Sequence, residues 1–499
     1  MDFSPKKIYD DFINNKADKT TVIDQLISII EDSESILVRF EAINILGQIG
    51  ALDNCIFNLL ENLLISDSHE IIRNAAASVL RLNFLNRTYE PIKWAFNNEI
   101  SIVPLITITD ILGRLSHIDA RSLLLERLYK SDNVSFRKEM DKLNRNNSIV
   151  KYSNIELSEF LINFFIIKEL EKKYGTINYK LTNFLVSELD LSDVSSHVFG
   201  FNILNKFPEY LVHLQHLKKL DLKFNRLTRI SNSIGSLKAL QYLDLSYNKI
   251  SHLPNSIGSL KSLENLNLKY NKLKNLPHSI NDLKNLKTLD LRSNRLISMP
   301  KSLRYLSKLE FLDLHGNLLK TFPKSLKGLR SIKVLELGLN KITQLPKSIK
   351  SLKTLKKLSL AGNKLDYFPN WVKYLKNLEE LKLYDNQLQD LPKNFSSLKQ
   401  LEVLDIRNNH FQKIPFCISK LENLKTLNIS WNHITEIPKW IGSLKSLEIL
   451  DLWGNELVEI PESLTQLENL RILDLNFNSI VEIPDFLKSL ERKGLAIYK

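Results

Sequence analysis

The sequence predicts an α/β solenoid of short parallel strands preceded by an all-α domain. Three observations carry this reading: an asparagine that returns every 23 residues, a proline that returns with the same period, and a front portion whose apolar residues follow helical spacing.

The asparagines are Asn225, Asn248, Asn271, Asn294, Asn317, Asn340, Asn363, Asn386, Asn409, Asn432, Asn455 and Asn478, in one unbroken register. Around each lies a frame of Leu or Ile at fixed offsets. Leu240, Leu243, Leu245, Asn248 and Ile250 give L-x-x-L-x-L-x-x-N-x-L, and Leu447, Leu450, Leu452, Asn455 and Leu457 give it again. One such unit is too short to bury its own apolar face, so stacked copies merge their leucines into a continuous core. The alternation of Leu243 and Leu245 fits one short strand per turn. An asparagine amide carries both donors and acceptors. At each bend it can bond backbone groups of its own and the adjacent turn, and stacked copies form a ladder. Eleven prolines, from Pro254 to Pro484, keep the same period and follow apolar residues such as Leu253, Leu276, Met299 and Phe322. Each fixes φ where the chain leaves the strand side. The return segment then reads like Ser256 to Leu260, with two apolar contacts and no long helix.

This frame, with its L-P-x-x-I-x-x-L return segment, resembles the leucine-rich repeat in the 23-residue form of intracellular Ras-group proteins and their plant and microbial relatives. The resemblance implies a horseshoe with parallel strands on its concave face and about 13 repeats over 195–499. In that family the concave face docks protein partners, often small GTPases or phosphatases. The ends depart from the frame. Phe207, Pro208, Leu211 and Leu214 match a return segment, but the strand read before it, His197 to Phe201, lacks the regular leucines and reads as an atypical cap. At the far end Leu490 fits, then Arg492 to Lys499 departs. Leu495, Ile497 and Tyr498 suit a last edge strand whose charged flanks discourage end-to-end stacking.

Residues 1–150 read as helical. Two segments are alike, Ile36 to Gly47 and Ile71 to Leu80, with Val38-Arg39 and Ile72-Arg73 standing 34 apart; Ile111-Leu112-Gly113 reads as a third copy. They resemble the second helix of HEAT-like repeats, in which an arginine tends to tie neighbouring helices. Asn54 to Leu64 and Arg121 to Leu128 would be partner helices, and a non-repetitive bundle is the alternative. Residues 151–194 read as a helical connector and cap, with Phe160, Phe164, Ile167 and Leu170 on one stripe that packs against the first repeat.

The length suits two domains. Cys55 and Cys417 are the only cysteines, so no paired-cysteine caps like those of secreted relatives exist. The start, Met1 to Lys7, has no signal-like apolar run, and the apolar patch Phe160 to Ile167 is too short to span a bilayer. A cytoplasmic location is expected. Residues 1–200 carry 22 Lys+Arg against 28 Asp+Glu, whereas 201–499 carry 47 against 28. Two ladders hold much of this excess. One is Lys238, Lys261, Lys284, Arg330, Lys353, Lys376, Lys399 and Lys445; the other is Arg226, Lys249, Lys272, Arg295, Lys341 and Lys364. Such rows are either a solubilising surface or a site for an acidic protein, anionic lipid or nucleic acid. No nucleic-acid motif accompanies them.

Side chains that alternate with the leucines face the strand side. One column is mostly acidic, Asp221, Asp244, Asn267, Asp290, Asp313, Glu336, Ser359, Lys382, Asp405, Asn428, Asp451 and Asp474, with its break at Ser359 and Lys382. The flanking columns vary, as a recognition surface does, and aromatics with arginine dominate interface hot spots. The partner-binding candidates are Tyr242, Arg292, Phe311, His315, Lys382, Tyr384, Arg407, Trp431 and Trp453. Phe224, Tyr247, Tyr270, Trp431 and Phe477 share the position just before the asparagine, which divides between core packing and contact. Catalysis is not expected: there is no G-x-x-x-x-G-K-[ST] loop and no zinc-like Cys/His spacing. Cys417 sits among apolar neighbours as an inert thiol. No cofactor or metal is expected. The function expected is a non-catalytic scaffold holding a protein partner on the concave face, with a small GTPase the partner the resemblance implies. The alternative is an electrostatic scaffold on anionic lipid or nucleic acid.

Overall fold

A computed structural model describes residues 4–145, 149–194, 203–492 and 494–499. The strand expected at His197 to Phe201 lies outside them. The described residues form two compact units, 4–189 with 208–217, and 190–194 with 203–207 and 218–499.

The first unit is built from α1 (Pro5–Ile13), α2 (Lys19–Asp32), α3 (Ile36–Ile49), α4 (Asn54–Ser66), α5 (Glu70–Asn83), α6 (Tyr89–Asn98), α7 (Ile102–Arg114), α8 (Ile118–Tyr129), α9 (Val134–Arg145) and α10 (Asn154–Tyr174). Asp18 caps α2 by accepting from the Thr21 N–H, and Ser153 with Glu156 forms a capping box on α10. Antiparallel neighbours pack as α2 on α3, α4 on α5 and α6 on α7, while α3, α5, α7 and α10 stack on one another in turn. Two glycines make that stacking close: a Cβ on Gly47 would sit 2.8 Å from Val79 Cγ2 on α5, and one on Gly113 would collide with Ser158 on α10. The arginines 34 residues apart tie one hairpin to the next. Arg39 donates to Ile30 O at 2.8 Å and Asp67 at 2.5 Å, and Arg73 grips both oxygens of Glu99 at 2.7 and 2.9 Å.

Helix α10 is more than a connector. The expected stripe of Phe160, Phe164, Ile167 and Leu170 is buried, and so are Leu161, Ile162, Phe165 and Ile166 on its other sides. It fills the last place in the inner helix row and also packs on the segment Glu209–His213. After it the chain forms a hairpin that the helical reading missed, β1 (Asn178–Thr182) and β2 (Leu185–Asp190), turned by Asn183 and Phe184 at φ 51° and 67°. A glycine-free turn of this kind gives little sequence warning. Asn163, which interrupts the apolar patch, accepts from the Val186 N–H at 2.8 Å, and the Phe184 ring stacks on Phe160 at 4.8 Å.

The second unit is a parallel-strand solenoid from β3 (Lys219–Asp221) to β14 (Ile472–Asp474), one three-residue strand per turn. Register follows the sequence period: Leu243 pairs with Leu266, and Leu381 with Leu404. The frame leucines are fully buried. Most return segments are five-residue 3-10 turns entered through proline, with φ between −85° and −59°. The final return is a short helix, α11 (Asp485–Glu491), and β15 (Ala496–Tyr498) adds the expected edge strand, pairing Leu473 with Ile497. At the front, the turn stacked before β3 begins at Leu191 and not where the period would put it. The Leu191 N–H donates to Asp221 O at 2.8 Å and the Asp193 N–H to Lys223 O at 3.0 Å.

The asparagines lock consecutive turns together. Asn340 Nδ2 donates within its own turn to Leu337 O and Gly338 O at 3.0 and 3.1 Å, and to Leu314 O of the preceding turn at 2.9 Å. Its Oδ1 accepts the Leu319 N–H at 3.0 Å. The same set recurs along the array, and at the front Asn225 Nδ2 donates to Leu191 O at 2.7 Å. Losing a buried amide that serves several backbone groups costs about 1–3 kcal/mol per group left unpaired. Asn340→Ala is therefore expected to lower unfolding free energy by about 3 kcal/mol or more, read by urea denaturation; a loss within the error of that measurement would contradict the ladder.

Candidate functional site: the strand face

In each turn the leucines five and three residues before the asparagine, such as Leu243 and Leu245, are fully buried. Residues alternate faces along a strand, so those six, four and two before it point away from the core. The residue immediately before it has positive φ in all twelve turns, from Phe224 at 55° to Phe477 at 52°, with glycine at 316, 362 and 454. This left-handed bend aims the asparagine amide at the backbone and turns its neighbour outward. Phe224, Tyr270, Trp431 and Phe477 are exposed and Tyr247 is half-buried, so this position faces solvent and is not part of the core. Phe224, Tyr247 and Tyr270 stack at 4.3 and 4.5 Å between ring centroids.

The acidic column has a structural role that its periodicity did not disclose. In nine turns its Oδ1 accepts the N–H two residues on, as in Ser246 to Asp244 at 2.9 Å, Lys269 to Asn267 at 3.2 Å and Trp453 to Asp451 at 3.1 Å. Asp and Asn close this turn equally; Glu336, Ser359 and Lys382 make no such bond. Burial, with the neighbouring carboxylate adding to it, holds Asp221, Asp290 and Asp451 above the ordinary carboxyl range. Glu336 is raised in the same way.

The candidate contact residues fall into separate groups. The Tyr242 hydroxyl donates to Asp244 at 3.1 Å, and burial raises its pKa. Arg292 donates to Asp313 on the next turn at 2.9 and 2.5 Å. His315 is half-buried, which lowers its pKa, and Phe311 is half-buried on the same turn. Lys382 pairs with Glu380 at 2.6 Å, which also holds Lys357 at 2.7 Å. Arg407 lies over the Tyr384 ring at 4.3 Å and reaches Asp405 at 3.7 Å. Trp431, Trp453 and Phe477 form an edge-to-face row with centroids 4.6 and 5.4 Å apart; Trp431 is 53% and Phe477 77% exposed.

The two lysine ladders differ. In the first, the amines of Lys238, Lys261, Lys399 and Lys445 cap the next return segment, as Lys399 does to Lys420 O at 2.7 Å and Lys445 to Gln466 O at 3.0 Å. In the second, Arg226, Lys249, Lys272, Arg295, Lys341 and Lys364 are all exposed, and none is paired with a carboxylate among the described residues. The half-buried Cys417 thiol is pushed up to about 12 by burial. Among the described residues no cluster of His, Cys, Asp and Glu is placed to hold a metal, and no helix is long and apolar enough to cross a membrane.

A leucine-rich repeat region model matches residues 381–491, and a leucine rich repeat model matches 209–273, 276–319 and 318–365. A leucine-rich repeat protein of Leptospira interrogans is 30% identical over 67% of this chain and 98% of its own, with a TM-score of 0.49. The chain belongs to the leucine-rich repeat family. An internalin of Listeria monocytogenes shares the fold at 23% identity, covering 64% of this chain and 91% of that one, with a TM-score of 0.55. A chain of the Toll–Spatzle complex of Drosophila is 25% identical over 56% of this chain and 40% of its own, with a TM-score of 0.51. No curated protein matches. The family models fall within the repeats and leave the helices α1 to α10 unmatched.

In this leucine-rich repeat array the raised carboxyls give a pH signature. Asp290 is raised by burial first, then by Asp313, against the opposing pull of Arg292. A raised folded-state pKa stabilises below the ordinary carboxyl range and loses that stabilisation as pH rises through the raised value. Asp290→Asn keeps the acceptor, as Asn267 does, and is expected to raise Tm at pH 7. The gain should vanish as pH falls below the ordinary carboxyl range; an equal effect in acid and at neutrality would contradict it.

Proposed function

We propose that the protein is a non-catalytic scaffold that holds a protein partner on the strand face of its repeats. The contact surface comprises Tyr242, Arg292, Phe311, His315, Lys382, Tyr384, Arg407, Trp431 and Trp453. The observation that carries this reading is the aromatic row Trp431, Trp453 and Phe477, exposed at its two ends, with the half-buried Tyr384–Arg407 stack on earlier turns of the same face. Exposed tryptophan, tyrosine and arginine on a rigid backing are the groups that dominate protein interfaces, and a preformed face lowers the ordering cost of association. The chain that shares the fold in the Toll–Spatzle complex is part of a protein complex, which fits binding as the use of such a face. A small GTPase is the first partner to try, on the strength of the repeat subclass that the L-P-x-x-I-x-x-L segments resemble.

The row of six unpaired cations from Arg226 to Lys364 favours a second reading, an electrostatic scaffold on anionic lipid or nucleic acid. Salt separates the two, because counterion-driven association falls steeply with ionic strength.

With the partner recovered on the full chain and its Kd measured, Tyr384→Ala with Trp453→Ala is expected to weaken capture at least about tenfold without lowering Tm. Lys249→Glu with Lys272→Glu should leave it nearly unchanged. Capture insensitive to the first pair and abolished by the second would overturn the protein-docking reading in favour of the electrostatic one.

A further inference from the structure

We propose that the last four turns of the strand face take a segment of a protein partner that sets arginine or lysine among aliphatic side chains. This inference rests on the strand-face reading above and narrows it to one end of the face and one partner chemistry.

Three parallel rows define that end. The position six before the asparagine holds Val403, Thr426, Ile449 and Ile472, all half-buried and mostly apolar. Earlier turns mix Lys219, Asn265, Lys357 and Glu380 with Tyr242, Thr288, Phe311 and Val334 there, so the last four turns are the longest run of this row without a charge or an amide. The opposite row is Trp431, Trp453 and Phe477, stacked edge to face, with Trp431 and Phe477 open to solvent and Trp453 half-buried between them. Between them run Asp405, Asn428, Asp451 and Asp474. A partner lying on this strip therefore covers carboxylates with apolar surface on either side.

Only some carboxylates of the column are answered by a cation of the chain. In the early turns Lys223 pairs with Asp221 at 3.1 Å and Arg292 with Asp313 at 2.5 Å, whereas Asp244 is met by the Tyr242 hydroxyl and the Asn267 amide. In the last four turns the equivalent positions are Arg407, Ser430, Trp453 and Asn476. Asp451 Oδ2 receives the Asn428 amide at 2.7 Å, and Asp474 receives the Asn476 N–H and amide at 3.0 and 2.9 Å, both on Oδ1. Neither forms an ion pair among the described residues, and Asp405 meets only Arg407, at 3.7 Å, which is itself laid over Tyr384.

Covering this strip with a neutral apolar surface would desolvate the Asp451 and Asp474 carboxylates with no counter-charge, which is strongly unfavourable for an ion. An acidic surface would add repulsion. A cation set between aliphatic groups removes both penalties: its charge meets Asp451 and Asp474 while its neighbours cover Ile449, Ile472 and the Trp453 ring. Burial and the adjacent Asp474 already hold the Asp451 carboxyl above its ordinary range, so an incoming cation relieves an existing strain in that row.

The test pans the full chain against a displayed library of random dodecapeptides and measures the best binders by fluorescence polarisation. The expected winners carry Arg or Lys flanked by Leu, Ile or Val. Asp451→Asn with Asp474→Asn should weaken them at least about tenfold, and Trp453→Ala should do the same. The two asparagine replacements keep the turn, because Asn267 and Asn428 already close it, so lost binding cannot be ascribed to misfolding when Tm is retained. Winners that are acidic, that ignore these variants, or a library with no binder sensitive to Trp453→Ala would overturn the proposal. If binding instead depends on Tyr242 and Phe311, the strand-face reading survives and this narrower one fails. Self-association of the chain, seen by sedimentation and lost on both Trp453→Ala and Lys249→Glu, would assign the strip to a second copy and overturn it as well.

Discussion

The amide of a buried asparagine, repeated once per turn, is the constraint on which the solenoid depends. A three-residue strand offers few hydrogen bonds of its own, and the bend that follows it leaves carbonyls and an N–H with no regular partner. Asn340 answers three carbonyls and one N–H at once, and two of those four bonds reach into the preceding turn. The leucines supply the driving force for stacking, but leucine packing is non-directional. The asparagine fixes each turn against the next in one register.

The same bend shapes the surface. To aim the amide inward the preceding residue adopts a left-handed backbone, a conformation that costs about 1–2 kcal/mol for residues other than glycine. Nine of the twelve turns accept that cost. In return the side chain at that position projects from the edge of the strand face. This is why large rings such as Trp431 and Phe477 are exposed although they sit one residue from a buried ladder. The acidic column follows a related logic: its carboxylates are held in place by the N–H two residues on, so their charge is positioned by the backbone and is only partly cancelled by neighbouring cations.

Much of this was legible in the residues. The period of Asn and Pro located the strands and the return segments, and the apolar Leu495, Ile497 and Tyr498 marked the terminal edge strand beyond it. The arginines at 39 and 73 marked where helices tie, whereas the close approach at Gly47 and Gly113 came only from the structure. Other features were hidden because they depend on backbone geometry rather than on pattern. The left-handed bend was signalled only by glycine at 316, 362 and 454. The hairpin around Asn183 and Phe184 carries no glycine, and the first stacked turn begins at Leu191 because the chain departs from its period before Asn225. The pairing of Arg292 with Asp313, against the unpaired Asp451, is invisible in sequence because both acids occupy the same column.

Hydrogen exchange on the intact chain tests the central constraint most directly. The N–H groups of Ile250, Leu273, Leu296, Leu319, Ile342, Leu365 and Leu388 are each bonded to an asparagine Oδ1 of the next turn. They are expected to exchange slowly and together, opening only with the array as a whole. Rapid or unrelated exchange at these seven positions, in a chain whose strands remain folded, would show that something other than the asparagine ladder holds the turns in place.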